Sequence, residues 1–79
     1  MSTFAEKVEA LARDVAFTED ALRVVLADGR EVSVPLHWFP RLLHATPDQR
    51  AKWELIGDGI GIHWPLVDED VEVESLLAT

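Results

Sequence analysis

The chain has no cysteine and no tyrosine, one methionine, and only seven basic side chains against fifteen acidic ones in 79 residues. Without cysteine there can be no disulfide, thiolate metal site or cysteine nucleophile, and the chain suits a reducing compartment. No apolar run approaches the ~18 residues of a membrane-spanning helix, and the first residues lack the basic and apolar regions of a secretory leader. The protein is therefore expected in the cytoplasm. The scarcity of lysine and arginine leaves a net charge of −8. Phosphate backbones are held by clustered cations, so direct nucleic-acid binding is not expected, and a basic protein is the natural complement.

What is present must fold with little to spare. A chain this short buries only about 60% of its unfolded surface, so three tryptophans and three phenylalanines have to supply much of one core. Oligomerisation is the usual remedy at this size, and a homodimer is expected. The whole chain, 1–79, reads as one α+β domain: an N-terminal helix over 1–13, then a domain over 14–77. That domain consists of a small antiparallel sheet of two hairpins with a C-terminal edge strand, interrupted by a short central helical crossover.

Thr3 and Glu6 have capping-box spacing, and Phe4, Val8, Leu11 and Ala12 recur at helical spacing, which predicts a helix from about Phe4 to Arg13. From Asp14 the period becomes two. Val15 and Phe17 alternate, Thr18-Glu19-Asp20 reads as a turn, and Leu22, Val24 and Leu26 alternate toward Asp28-Gly29. A two-residue Asp-Gly loop would set Val24 against Ser33 and mix apolar with polar on each face. A three-residue loop, Ala27-Asp28-Gly29, sets Leu22 against Val34 and Val24 against Val32, and is the register expected.

Pro35 ends that ladder. Pro40 and Pro47 each suit the first turn of a short helix, the second capped by Thr46 with Gln49. Phe39, Leu42 and Leu43 are expected inward, leaving Trp38, Arg41 and His44 as outward contacts. A second hairpin runs from Trp53 through Gly57-Asp58-Gly59 to Trp64, with Ile60, Ile62 and Trp64 on one face. Its glycines lack the lysine and the following helix of a phosphate-cradling loop. Val67 to Glu74 carries the densest acidic charge, alternates apolar with acidic at its end, and reads as an edge strand whose charges block sheet-to-sheet pairing. Ser75 is expected to cap a last turn whose Leu76 and Leu77 close the core.

No catalytic, cofactor or metal constellation emerges. A zinc or general-base site would need His37 and His63, each followed by tryptophan, to converge with a carboxylate such as Asp58 or Asp68. The plainer reading is that each imidazole packs beside its tryptophan. The residues singled out for partner binding are Trp38, Arg41, His44, His63, Trp64, Asp68, Glu69 and Asp70. The alternatives are a small-ligand or hydrolytic site around His37, His63 and Trp64, and an accessory subunit of a DNA-binding regulator.

Asp28-Gly29-Arg30, Val34-Pro35-Leu36-His37-Trp38-Phe39-Pro40-Arg41-Leu42, Thr46-Pro47-Asp48-Gln49-Arg50 with Trp53, Ile56-Gly57-Asp58-Gly59-Ile60-Gly61-Ile62-His63-Trp64-Pro65 and Asp68-Glu69-Asp70 follow one another in order. This run resembles the bacterial domain-of-unknown-function family numbered 2442, from about Val15 to Leu77. The resemblance implies a small α+β domain with no established activity. Some members are joined to a helix-turn-helix segment, which the chain, ending at Thr79, is expected to lack. Many are encoded beside a second small family of unknown function, numbered 4160, a pairing that resembles a toxin and its antitoxin. It thus implies an acidic, antitoxin-like partner of a small basic protein.

Overall fold

Residues 10–77 are described by a computed structural model. Three strands come first, β1 (Ala12–Phe17), β2 (Ala21–Leu26) and β3 (Glu31–Pro35), paired antiparallel in that order. Thr18 makes the first turn local: its N–H donates to the Ala21 carbonyl, and its hydroxyl accepts from the Ala21 N–H at 3.0 Å. The second turn is the three-residue loop that the faces require. Leu22 lies opposite Val34 and Val24 opposite Val32, the Leu26 N–H closes on the Arg30 carbonyl, and Gly29 takes φ +95°. One face of the sheet therefore buries Val15, Leu22, Val24, Leu26 and Val34.

The expected helix to Arg13 is overturned where it can be seen. Ala12 and Arg13 belong to β1, and the Leu11 carbonyl accepts from the Ala27 N–H; Phe4 to Glu9 lie outside the described residues. The strand hides its period because it is bulged. Ala12 pairs with Leu26 but Asp14 with Val25, so Arg13 is one residue too many for the ladder. In a regular strand Asp14 would point inward with Ala12. The extra residue leaves Arg13 and Asp14 both exposed and returns Val15 to the core.

After Pro35 come a 3-10 turn (Leu36–Trp38), α1 (Pro40–Leu43) and α2 (Pro47–Ala51). The capping box at α2 forms: Thr46 Oγ accepts from the Gln49 N–H at 3.1 Å, and Gln49 Oε1 from the Thr46 N–H at 2.9 Å. Of the residues expected inward, Leu42 is fully buried and Phe39 partly so, but Leu43 is exposed. A single helical turn has one inward direction, and Phe39 and Leu42, three apart, take it.

The remaining strands, β4 (Glu54–Ile56), β5 (Gly61–Trp64) and β6 (Glu69–Glu72), form a second antiparallel sheet in the order β4-β5-β6, followed by α3 (Val73–Leu77). Among the described residues the architecture is thus mostly β, with two three-stranded sheets and three short α-helices; the expected single sheet does not hold, and the expected helix over 1–13 gives way to β1 at Ala12 and Arg13. The crossover carries the chain away from β3 before β4 begins, so the second hairpin pairs with β6 and not with the first hairpin. A backbone bond stitches the sheets together instead: the Ala12 N–H donates to the Gly59 carbonyl at 2.8 Å, while the Val73 N–H, donating to the Ile60 carbonyl at 3.0 Å, carries the β5–β6 ladder into α3.

Three smaller expectations also change. The β4–β5 loop takes four residues, Gly57 to Ile60, so Ile60 leaves the face of Ile62 and Trp64 and stands 56% exposed. Ser75 does not cap α3; its hydroxyl donates back to the Glu72 carbonyl at 2.7 Å. Leu76 is buried while Leu77 is exposed, and only the former closes the core. The core itself is continuous across both sheets, and Trp64 is the largest of its fully buried side chains. Among the described residues no helix is long and apolar enough to cross a membrane.

Candidate interaction face

Alternation decides which side chains of the second sheet meet solvent. Leu55, Ile62 and Val71 are cross-strand partners; Ile62 and Val71 are buried on the inner face, while Leu55, on the edge strand β4, shares their face but stays exposed. The outer face consequently carries two rows, Glu54–His63–Asp70 and Ile56–Gly61–Glu72. His63 Nδ1 and Asp70 Oδ1 are in direct contact across β5 and β6. This contact raises the proton affinity of His63 above that of ordinary imidazole; partial desolvation opposes it, and the charges of Asp70, Glu54 and Asp68 add to it.

Beside this row the chain makes a tight corner at Asp68, which sits in the left-handed region at φ 55°. Arg41 reaches across from α1 to hold it: its Nη1 donates to the Asp68 carbonyl and lies 3.7 Å from the carboxylate. Of the residues singled out for partner binding, Arg41, His63, Asp68 and Asp70 are thereby linked in two neighbouring pairs. Trp38 and His44 are exposed on the crossover. Glu69 is partly buried and pairs with Trp64 across the ladder, on the opposite face from Asp70.

Trp64 has to be corrected from an outward contact to a core residue. It shares the inner face with Ile62, is fully buried, meets Phe17 edge-on at 6.1 Å, and donates its Nε1–H to the Arg50 carbonyl at 3.1 Å. The alternative site around His37, His63 and Trp64 does not assemble. His37 lines a separate hollow with Asp20, Ser33 and Pro35 that contains neither of the other two. Among the described residues no three histidine or acidic side chains are grouped as metal ligands.

Sequence reasoning missed the role of Arg50 and the residues around Ile60. The Arg50 guanidinium lies over the Phe17 ring at 5.3 Å and donates to the Leu42 and Leu43 carbonyls at 2.9 Å, tying α1 to α2 and to β1. A groove of about 450 Å³ between β1 and α2 is lined by Arg50 and Trp53, but its cation is committed to these internal bonds. The outward positions of Glu54, Ile56 and Glu72 follow from Ile62 and Val71 facing inward. That signal was present in the alternation and was obscured by the three-residue loop expected at Gly57-Asp58-Gly59.

Among curated proteins none matches the chain. Two solved structures resemble it. A protein of unknown function from Rhodospirillum rubrum is 27% identical, with a TM-score of 0.75 over 90% of this chain and 88% of that one. An uncharacterized protein from Chromobacterium violaceum, determined by NMR in solution, is 28% identical, with a TM-score of 0.71 over 85% of this chain and 63% of that one. The family described as "Protein of unknown function (DUF2442)" matches residues 12–79, and the chain belongs to that family.

Proposed function

We propose that this chain is a protein-interaction module whose partner is a small basic protein, and that it acts in the cytoplasm as the acidic, antitoxin-like member of the pair. The observation that carries the reading is how the cations are spent. Arg23 pairs with Glu31, Arg30 with Asp28, Arg41 with Asp68 and Lys52 with Asp48. Arg50 is bonded to internal carbonyls. Of the six basic side chains in residues 10–77, only Arg13 has no such partner among the described residues. Of the eight acidic side chains in no ion pair among those residues, Glu54, Asp58, Glu69, Glu72 and Glu74 lie on the second sheet, its β4–β5 loop and α3, and Asp14, Glu19 and Asp20 on the first sheet and its first turn, so the larger share of the surplus charge is on the second sheet and α3. Such a field steers a cationic partner and repels phosphate backbones.

Co-expression with the product of the adjacent gene tests this reading. Wild type should retain that product on an affinity column at low salt and release it as salt rises. Asp68→Lys combined with Asp70→Lys should lower retention by about tenfold, the loss expected when rim charges turn repulsive. Equal retention by the variant overturns the acidic edge as the contact. Sedimentation of the purified chain alone tests the expected homodimer.

A further inference from the structure

We propose that two hollows flanking Ile60, one on the outer face of the second sheet and one between that sheet and Ala10-Leu11, receive two apolar side chains of a lysine- or arginine-rich segment of the partner. The proposal rests on the reading just given and names its contact surface. One hollow, of about 180 Å³, is lined by Ile56, Ile60, Gly61, Asp70, Val71 and Glu72. The other, of about 210 Å³, is lined by Ala10, Leu11, Ile60, Glu72 and Glu74. Ile60 is the ridge between them and Glu72 borders both. An apolar space of about 150 Å³ accepts a benzene ring, so each hollow suits one large apolar side chain.

Three features make this surface more than a scatter of exposed residues. Its ridge is fixed in place, because the Ile60 N–H donates to the Ile56 carbonyl at 3.1 Å and the Ile60 carbonyl accepts from Val73. Its floor is open because β5 has glycine at 61: a Cβ there would lie 3.2 Å from Ile56 Cδ1 and 3.3 Å from the Val71 carbonyl. And its rim has one sign. Asp70, Glu72 and Glu74 border the hollows, Glu54 stands in the next row, and among the described residues no lysine or arginine lines either hollow. Apolar anchors supply affinity and complementary rim charges supply orientation. Charge complementarity thus selects a basic segment, while a second copy of this chain would bring carboxylates against carboxylates.

The test uses isotope-labelled wild-type protein and three synthetic peptides: one with leucines and lysines at amphipathic helical spacing, one with the same leucines and glutamates, and one in which serine replaces every leucine of the first. The leucine–lysine peptide should bind and shift the amide signals of Ile56, Ile60, Gly61 and Glu72, and the leucine–glutamate peptide should not bind. Ile60→Ser, at an exposed loop position, should weaken the leucine–lysine complex about tenfold, as loss of an anchor does. The serine–lysine peptide should bind at least as weakly. If the leucine–lysine and serine–lysine peptides bind equally and Ile60→Ser changes nothing, the hollows are not the contact, and the acidic-module reading stands without them. If neither lysine peptide binds, both proposals fall.

Discussion

The two sheets have the same strand number and the same meander topology, yet they manage their turns and their charges in opposite ways. In the first sheet the β2–β3 turn is self-sufficient: Asp28 accepts from the backbone and side chain of Arg30, and a Cβ on Gly29 would meet nothing within 4 Å. In the second, the β4–β5 turn leans on distant chain. A Cβ on Gly59 would lie 2.4 Å from the Ala12 carbonyl oxygen, at a φ of +111°. The outer faces differ in the same sense. Arg23 and Glu31 neutralise each other on the first sheet, whereas the second offers acidic side chains around exposed Ile56 and Ile60. A sheet of longer strands can afford to be finished by itself; shorter strands are held by tertiary bonds, and their outer face is left for another molecule.

The comparison breaks most readily at the two glycines. Gly59→Ala combines a disallowed backbone angle with overlap at Ala12, and should lower unfolding stability in urea by about 3 kcal/mol. Gly29→Ala carries only the backbone penalty, about 1 kcal/mol. Equal losses would show that the second turn does not depend on β1. The smallest effect expected is that of pH. His63 holds its proton more firmly folded than unfolded, so its contact with Asp70 contributes fully below the ordinary imidazole range and fades as pH rises through the raised folded value. Melting temperature should therefore fall more for wild type than for His63→Gln between about pH 6 and about pH 8. Parallel profiles would show that the His63–Asp70 pair is no part of what distinguishes the second sheet.

Much of the first sheet was legible in the sequence, because alternating valines and leucines on both sides of Asp28-Gly29 permit only one register that keeps the faces pure. The capping box at Thr46 was legible for the same local reason: both partners lie within one turn. What was not legible was non-local. The bulge at Arg13 breaks alternation at the point where a helical pattern from Phe4 runs in. The four-residue loop before Gly61 decides whether Ile60 faces in or out, and that loop is set by bonds to Ala12 and Val73 that no local pattern announces. Of the candidate site, the Arg41–Asp68 and His63–Asp70 pairs join residues named in advance. Trp64, placed opposite His63 by simple alternation, was lost to the core.

The neighbouring carbonyls of Gly59 and Ile60 point to different parts of the molecule, one accepting from Ala12 and the other from Val73. One short loop therefore clasps the start of the first sheet and the start of the last helix at once. The amide hydrogens of Ala12 and Val73 thus report whether the protein opens as a whole or in halves. If the clasp governs cooperativity, both should exchange with solvent at the rate of global unfolding, in step with the buried amides of β2. A partner seated on Ile60 would then slow exchange at Ala12, on the other side of the clasp.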